Sequence, residues 1–131
     1  MSQEVERGRI IGIGGVFFKS PDAPKLREWY RDHLGFNAGP EGMHFPWREQ
    51  ANPEAERLTV WSVFDAESKY FEPGKSPLMI NYIVDDLDAF LARMQSRGVS
   101  IDPKRESYDY GRFAWIYDRD GNKIELWEPP A

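Results

Sequence analysis

The stretch DRDGNKIELWEP, residues 118–129, is the most informative part of this sequence about its fold. Asp118, Gly121 and Asn122 are residue types that tolerate the backbone angles of a tight turn, so its first half predicts a hairpin. In its second half, KIELW alternates with a period of two, which is typical of a strand with one buried face. GRFAWIYD, directly before it, is a second strand pattern. The chain therefore closes with two strands joined by a short turn.

The same order of elements occurs twice along the chain. IIGIGGVFFKS, from Ile10, and PLMINYIVDD are β-branched and aromatic runs that predict strands. An amphipathic helix follows each run, capped by Asp22 or Asp86, which lie 64 residues apart, and ended by Gly35 or Gly98. Short strand patterns follow each helix, HFPW and ERLTVWSVF in the first case and GRFAWIYD and NKIELWEP in the second. This internal repeat predicts two βαβββ units.

The domain organisation follows from the repeat. We predict a single α+β domain over residues 1–131, with repeat one at about 9–72, a linker at about 73–77 and repeat two at about 78–131. A chain of this length is typical of one domain. The stretch 38–56 is rich in glycine, proline and charge and predicts a long loop.

Composition excludes several classes of function. The formal net charge of −5 disfavours nucleic acids and anionic membranes as partners. The chain has no cysteine, so it has no disulfide framework, thiolate nucleophile or cysteine zinc site. The first residues, MSQEVERGR, are polar, and no apolar run is long enough to span a membrane. We expect a cytoplasmic protein whose partner is a small molecule.

Two βαβββ units in a chain of this length, closed by DRDGNKIELWEP, resemble the glyoxalase/bleomycin-resistance/dioxygenase (vicinal oxygen chelate) superfamily. The resemblance extends from about residue 10 to residue 129. It implies eight strands that curl into a cupped, glyoxalase-like mixed sheet around a ligand, with the helices outside. It also implies that up to four strand residues hold a divalent cation.

The resemblance, carried over one position at a time, places these cation ligands at Gly15, Thr59, Met79 and Glu125. Only Glu125 is a good ligand for a hard cation, because glycine has no side chain, threonine is weak and a thioether prefers soft metals. We therefore predict no metal and no other cofactor. A divalent metal remains an alternative, with Glu125 as one ligand and His44 or water supplying others.

Glu125 is the candidate catalytic residue. Strand alternation turns it towards the cavity of the cup, while Ile124 and Leu126 face the helices. Burial without a cation would raise its pKa and suit a general acid or base. The same alternation predicts an aromatic wall with a few polar groups, which suits a small-molecule pocket. The predicted ligand-binding residues are Phe17, Thr59, Trp61, Met79, Asn81, Phe113 and Trp115, with Tyr110 and Arg112 at the rim.

Structural explanations stay open for several of these side chains. The aromatic residues could simply fill the cup, Glu125 could be satisfied by a neighbouring donor, and segment 108–113 could be a solvated loop. His33 lies near the end of the first helix, where a cation is favoured by the helix dipole, so a structural role fits it best. His44 follows a glycine-rich turn and is more typical of a surface histidine than of a ligand.

Three functions are consistent with these features. The first is a metal-free binding protein, including the bleomycin-resistance type, that takes up a small aromatic or polar-aromatic molecule. The second is a metal-dependent lyase, isomerase or dioxygenase with Glu125 as a ligand. The third is a metal-free enzyme with Glu125 as general base. Incompletely covered strand edges also predict a homodimer, with the repeats paired within or between chains.

Overall fold

Seven strands and two helices make up residues 7–131, the part of the chain that this computed structural model describes. Residues 1–6 of the polar amino-terminal stretch lie outside the described residues. The elements are β1 (Ile10–Ser20), α1 (Ala23–Leu34), β2 (Met43–Arg48), β3 (Glu56–Asp65), β4 (Leu78–Val84), α2 (Leu87–Ser96), β5 (Ser100–Tyr108), β6 (Gly111–Tyr117) and β7 (Lys123–Glu128). The α+β class that the sequence predicts is confirmed.

The strands form one mixed sheet in the order β2-β3-β1-β4-β7-β6-β5. β1 is parallel to β3, and β4 is parallel to β7, so the two halves share one arrangement. The halves meet where β1 runs antiparallel to β4, with Gly15 opposite Asn81. The two repeats therefore pair within one chain, which is one of the two arrangements that the sequence leaves open.

The first repeat has one strand fewer than the sequence predicts. Three strands follow α2, which completes βαβββ, but only β2 and β3 follow α1 in the described chain. Residues 35–42 take the place of the missing strand, and their only pairing is an isolated bridge between Gly39 and Gly42. Pro40 lacks an N–H for a ladder, and Gly42 has a φ of 94°, so this segment cannot continue as a strand. The expected eight strands are therefore seven, in an open sheet.

Both helices have the boundary signals that the sequence predicts. Asp22 and Asp86 each accept a hydrogen bond, at 3.1 Å, from the backbone N–H three residues further on. Gly35, with a φ of 71°, ends α1, and Gly98, with a φ of 75°, follows the last turn of α2. Glycine adopts this left-handed conformation without a steric penalty, so each helix ends there.

Both helices pack on the same face of the sheet. α1 covers β3 through a cluster that includes Trp61 and Val63. α2 covers β6 and β7 through a cluster that includes Ala114 and Leu126. Strand alternation turns Met79 and Trp115 to the other face, where they form a third cluster with Phe71. The face away from the helices is therefore free to carry a site. No helix between residues 7 and 131 is long and apolar enough to cross a membrane.

Candidate functional site

A cavity of about 360 Å³ lies on the sheet face opposite the helices. Asn81 and Glu125 form its floor, because β4 and β7 are parallel neighbours whose register puts these two residues side by side. Phe17 and Val60 close it from the first repeat. Tyr70, from the segment between β3 and β4, lies next to the floor. The cavity is thus built from both repeats.

Glu125 is 3% exposed and accepts three hydrogen bonds from protein donors. Asn81 Nδ2 donates to Oε2 at 2.6 Å, and Trp115 Nε1 donates to Oε1 at 3.1 Å. Trp115 reaches it because β6 pairs this residue directly with Glu125. The hydroxyl of Tyr70 also donates to Oε1. These donors satisfy both carboxyl oxygens of Glu125 within the protein.

The surroundings of Glu125 change the pKa values of two groups. Burial raises the pKa of Glu125, although the hydrogen bonds from Tyr70, Asn81 and Trp115 act in the opposite direction. Burial also raises the pKa of Tyr70, and the adjacent Glu125 carboxylate raises it further. The phenol of Tyr70 therefore keeps its proton at neutral pH and remains the donor of the pair.

The second polar group of the floor has an unused acceptor. Oδ1 of Asn81 finds no hydrogen-bond partner anywhere in residues 7–131, and the residue is 2% exposed. A β-carbon on Gly14 would lie 2.3 Å from this oxygen, so glycine at that position leaves room beside it. An unpaired buried acceptor costs about 1–3 kcal/mol. A donor that entered from the cavity would remove that cost.

Four aromatic rings form one wall of the cavity. Tyr108 and Tyr110 stack with ring centroids 5.1 Å apart, and Phe113 stacks on Trp127 at 6.0 Å. Trp127 Nε1 donates to the backbone carbonyl of Tyr110 at 2.8 Å, which ties the end of β7 to the β5–β6 turn. Gly111, with a φ of 135°, lies so close to Trp127 that a β-carbon would clash with the indole. Tyr110 is 58% exposed and marks the mouth of the cavity.

Glu106 is the second acidic side chain of the cavity lining. Its carboxylate accepts from the Tyr108 hydroxyl at 2.9 Å and pairs with Lys104 Nζ at 3.0 Å. The hydrogen bond from Lys104 and, next, that from Tyr108 lower the pKa of Glu106, so it is ionised at neutral pH. Among residues 7–131, no lysine, arginine or histidine side chain lines this cavity.

Most of the residues predicted from the sequence lie in or directly behind the cavity. Met79 and Trp115 are buried behind its floor, where they pack with Phe71. Five of the predicted residues line the cavity itself, namely Phe17, Asn81, Tyr110, Phe113 and Glu125.

The predicted orientation of Thr59 and Trp61 was wrong, because both lie on the helix face of the sheet. Trp61 packs beneath α1, and the Thr59 hydroxyl donates to the backbone carbonyl of Ile13 at 2.5 Å. Val60 takes the cavity position instead. Aligning RLTVW with KIELW is one residue out of register, and a shift of one residue turns every side chain of a strand to the other face.

Three further residues that the sequence offered as candidates for ligand or metal binding also lie outside the cavity. Arg112, predicted at the rim, faces α2 and donates to Asp88 at 2.7 Å, since it alternates with Phe113 along β6. His33 bonds to the backbone carbonyl of Trp29 at 3.0 Å within α1. His44 is exposed on β2, at a position that does not line the cavity.

Six cavity residues are absent from the predicted set, namely Gly14, Val60, Tyr70, Glu106, Tyr108 and Trp127. Trp127 has the same alternation as Glu125, so the period-two pattern was sufficient to find it. Glu106 and Tyr108 lie on β5, whose sequence SIDPKRESY has too few β-branched and aromatic residues to predict a strand. Tyr70 lies in the segment between β3 and β4, where no local sequence pattern predicts that it reaches the cavity.

The residues around Glu125 do not suit a divalent cation. Gly15 has no ligand atom, Met79 is buried behind the floor and Thr59 faces away. The side chains of Tyr70, Asn81 and Trp115 point O–H and N–H donors at the carboxylate of Glu125, so the oxygens that would bind a cation already accept hydrogen bonds from the protein. Within the described part of the chain, no three histidine, aspartate or glutamate side chains form a group that could hold a metal.

The fold and the cavity together define a class of protein, a two-repeat α+β domain whose sheet carries its site on the face away from the helices. The chain belongs to the Glyoxalase/Bleomycin resistance protein/Dioxygenase superfamily, whose family model matches residues 12–126. No curated protein sequence matches the chain. Members of this superfamily bind small molecules.

Several solved structures are similar to this chain in fold. Methylmalonyl-CoA epimerase from Mycobacterium tuberculosis is 22% identical, with a TM-score of 0.57, over 100% of this chain and 94% of that one. A Streptomyces coelicolor methylmalonyl-CoA epimerase in complex with 2-nitronate-propionyl-CoA is 15% identical, with a TM-score of 0.66, over 94% of this chain and 100% of that one. The NAD-dependent benzaldehyde dehydrogenase structure from Legionella pneumophila is 16% identical, with a TM-score of 0.57, over 88% of this chain and 98% of that one. At these identities the similarity concerns the fold alone.

Proposed function

We propose that this protein binds a small aromatic or polar-aromatic molecule in its cavity without a metal. The observation that carries the proposal is the chemistry of the cavity floor. There Glu125, at a position that the superfamily resemblance assigns to a metal ligand, is saturated by protein donors. The floor therefore offers a hydrogen-bonded carboxylate and amide to a ligand, and the aromatic wall stands beside it.

The shape and lining of the cavity support an aromatic ligand. A volume of about 360 Å³ accommodates a ring with a short substituent. The ring would contact Phe113 and Trp127 on one side and Phe17 and Val60 on the other. An aromatic pair contributes about 1 kcal/mol beyond the burial of its surface, so several such contacts hold a small ligand.

The metal-free part of the proposal is tested by metal analysis. We expect the protein, expressed with added zinc and nickel and then purified, to carry far less than one equivalent of either by mass spectrometry. Calorimetric titration with zinc is expected to show no site that Glu125→Gln abolishes. A stoichiometric metal that depends on Glu125 would overturn the proposal and favour the metal-dependent lyase, isomerase or dioxygenase.

The binding part is tested with simple aromatic probes. Saturation-transfer NMR with benzyl alcohol, benzylamine and benzoate is expected to show contact for at least one of the three. The contact is expected to be lost in Phe113→Ala and kept in Trp29→Ala, which removes an exposed ring on α1 outside the cavity. If the folded wild-type protein transfers saturation to none of the probes, aromatic binding in this cavity is refuted.

A metal-free acid–base enzyme is the second candidate function. It is favoured by the link from the cavity through the Tyr70 hydroxyl to Glu125, whose pKa is raised by burial. Proton exchange at the carbon next to a ketone tests it, with 1-phenyl-2-propanone in heavy water followed by NMR. Exchange that Glu125→Gln abolishes would support this candidate, and exchange equal in both proteins would exclude it for this substrate.

We also propose a cytoplasmic homodimer. The absence of cysteine leaves no disulfide framework, which is consistent with the cytoplasm. Dimerisation is supported by three half-exposed aliphatic side chains on the adjacent strands β1 and β4, namely Ile10, Ile13 and Leu78.

A further inference from the structure

The polar groups that line the cavity divide unequally into hydrogen-bond donors and acceptors. Four side chains of the lining already donate to protein acceptors: Tyr70 and Asn81 to Glu125, Tyr108 to Glu106, and Trp127 to a backbone carbonyl. The other donor of the lining is the Tyr110 hydroxyl, at the exposed mouth. The Oδ1 atom of Asn81, in contrast, is a buried acceptor without a partner in the described chain. The cavity therefore favours a ligand that carries hydrogen-bond donors over one that carries only acceptors.

The charge of the lining has the same bias. Glu106 and Glu125 line the cavity, and the nearest cations lie outside it. Lys104 pairs with Glu106 at 3.0 Å but is itself largely exposed. Lys123 Nζ donates to the backbone carbonyl of Tyr70 at 2.8 Å and lies over the ring of Trp115, behind the floor. An anion inside the cavity would meet carboxylates and no cationic side chain.

The aromatic wall is attractive to cations as well. The face of an aromatic ring carries negative electrostatic potential, and an ammonium group within about 6 Å of a ring centroid is stabilised by it. Tyr108, Tyr110, Phe113 and Trp127 stand together beside Glu106 in the lining. Rings and a carboxylate in this combination form a binding site for an organic cation.

We propose that the ligand of this cavity is a small aromatic molecule that carries a protonated amine. The positive charge of the ligand lies between the aromatic wall and Glu106. An N–H group of the ligand lies inside the cavity, where Asn81 Oδ1 is the unpaired acceptor. This inference rests on the proposed function, because it names the class of ligand for the same cavity. A ligand that bears a carboxylate, such as methylmalonyl-CoA, would instead require cationic or hydrogen-bond-donating side chains in the cavity.

Three probes with the same ring and different charge test the inference. Benzylamine is a cation at pH 7, benzyl alcohol is neutral and benzoate is an anion. We expect calorimetry at low salt to show benzylamine binding about 10-fold more tightly than benzyl alcohol, and benzoate binding more weakly than both.

Two variants locate the preference. Glu106→Gln is expected to remove the advantage of benzylamine over benzyl alcohol, so that the ratio of the two affinities falls from about 10 to about 1. Glu67→Gln, which removes an exposed carboxylate outside the cavity lining, is expected to leave both affinities unchanged. If Glu106→Gln does not fold, Tyr110→Leu at the exposed mouth is the alternative, and it is expected to weaken benzylamine more than benzyl alcohol.

Each remaining outcome has a distinct meaning. Benzoate or benzyl alcohol binding as tightly as benzylamine would overturn the cation preference and leave aromatic binding intact. An advantage for benzylamine that survives in Glu106→Gln would also overturn the inference, because the charge would then lie elsewhere. Binding by none of the three probes would overturn the proposed function itself.

Discussion

At the scale of single residues, Glu125 has its properties set by its neighbours. It is buried beside Asn81, Trp115 and Tyr70, and its two oxygens accept from all three. Burial raises the pKa of Glu125, whereas hydrogen bonds lower the pKa of the more exposed Glu106. The pKa values of these two carboxyl groups, which line one cavity, are therefore shifted in opposite directions.

The raised pKa of Glu125 predicts a pH dependence of stability. Because the folded state holds this proton to higher pH than the unfolded state, the free energy of unfolding falls as pH rises from 4.5, the ordinary pKa of the group. The stabilisation is fully present below that pH and lost as pH rises through the folded pKa. Glu125→Gln is expected to abolish this decrease, measured by urea unfolding from about pH 4 to about pH 8.

The effect of Glu125 is measured as the difference between the pH profiles of the wild-type protein and Glu125→Gln. Asp102, Glu106 and Asp118 have lowered pKa values, so they contribute stability that rises with pH and partly conceals the effect of Glu125. Glu67→Gln serves as the control for removing a carboxylate. Parallel pH profiles for wild type and Glu125→Gln would contradict the prediction.

Tyr70 predicts a second effect at this scale. Tyr70→Phe removes the donor to Glu125 but keeps the ring that stacks on Phe64 at 5.6 Å. We expect a loss of about 1–2 kcal/mol in the free energy of unfolding, because a buried acceptor loses a partner. Tyr110→Phe, at the exposed mouth, is expected to change stability by less than about 0.5 kcal/mol. Equal effects in chemical denaturation would show that the Tyr70 hydroxyl has no structural role.

At the scale of elements, the β6–β7 hairpin depends on its turn. Asp118 accepts from the backbone N–H groups of Asp120 and Asn122, each at 2.9 Å, and Gly121 has a φ of 82°. The hairpin places Trp115 opposite Glu125, so the turn also positions the cavity floor. The closing stretch of the sequence thus links local turn chemistry to the site.

Gly121→Ala tests this element. A β-carbon at Gly121 meets no atom within 4 Å, so any cost comes from the left-handed backbone alone. We expect a loss of about 1 kcal/mol in the free energy of unfolding. Gly39→Ala is the matched control, because its β-carbon is equally unobstructed and its φ lies outside the left-handed region. The prediction is wrong if the two variants have the same midpoint of thermal unfolding.

The elements differ in how readily the sequence predicts them. The strand patterns of β1, β4, β6 and β7 and both helices follow from periodicity and caps that lie within a few residues of each other. β5 was not predicted, because SIDPKRESY is held as a strand by its pairing with β6 and not by its own propensity. Three strands were also predicted after the helix of repeat one, although only two strand patterns follow it and residues 35–42 carry glycines and a proline that prevent a third.

At the scale of the whole molecule, the pairing of β1 with β4 joins the repeats and leaves Ile10, Ile13 and Leu78 half-exposed. We expect a symmetric homodimer, because such aliphatic side chains lose contact with water when a second copy covers them. Size exclusion with light scattering is expected to give twice the 15.3 kDa of one chain, and Ile13→Glu is expected to halve it. A mass of one chain for the wild-type protein at micromolar concentrations would refute the dimer.

Local sequence patterns were sufficient to predict the internal repeat, the helix boundaries, the closing hairpin and the orientation of Glu125 towards the cavity. These features depend on turn residues, caps and periodicity, which act between residues close together in the chain. Three features became visible only in the folded chain: Val60 and not Thr59 faces the cavity, Arg112 turns to Asp88, and Tyr70 reaches Glu125 across 55 residues. Register and long-range hydrogen bonds are set by how separate strands and segments pack together, and no local pattern records that packing.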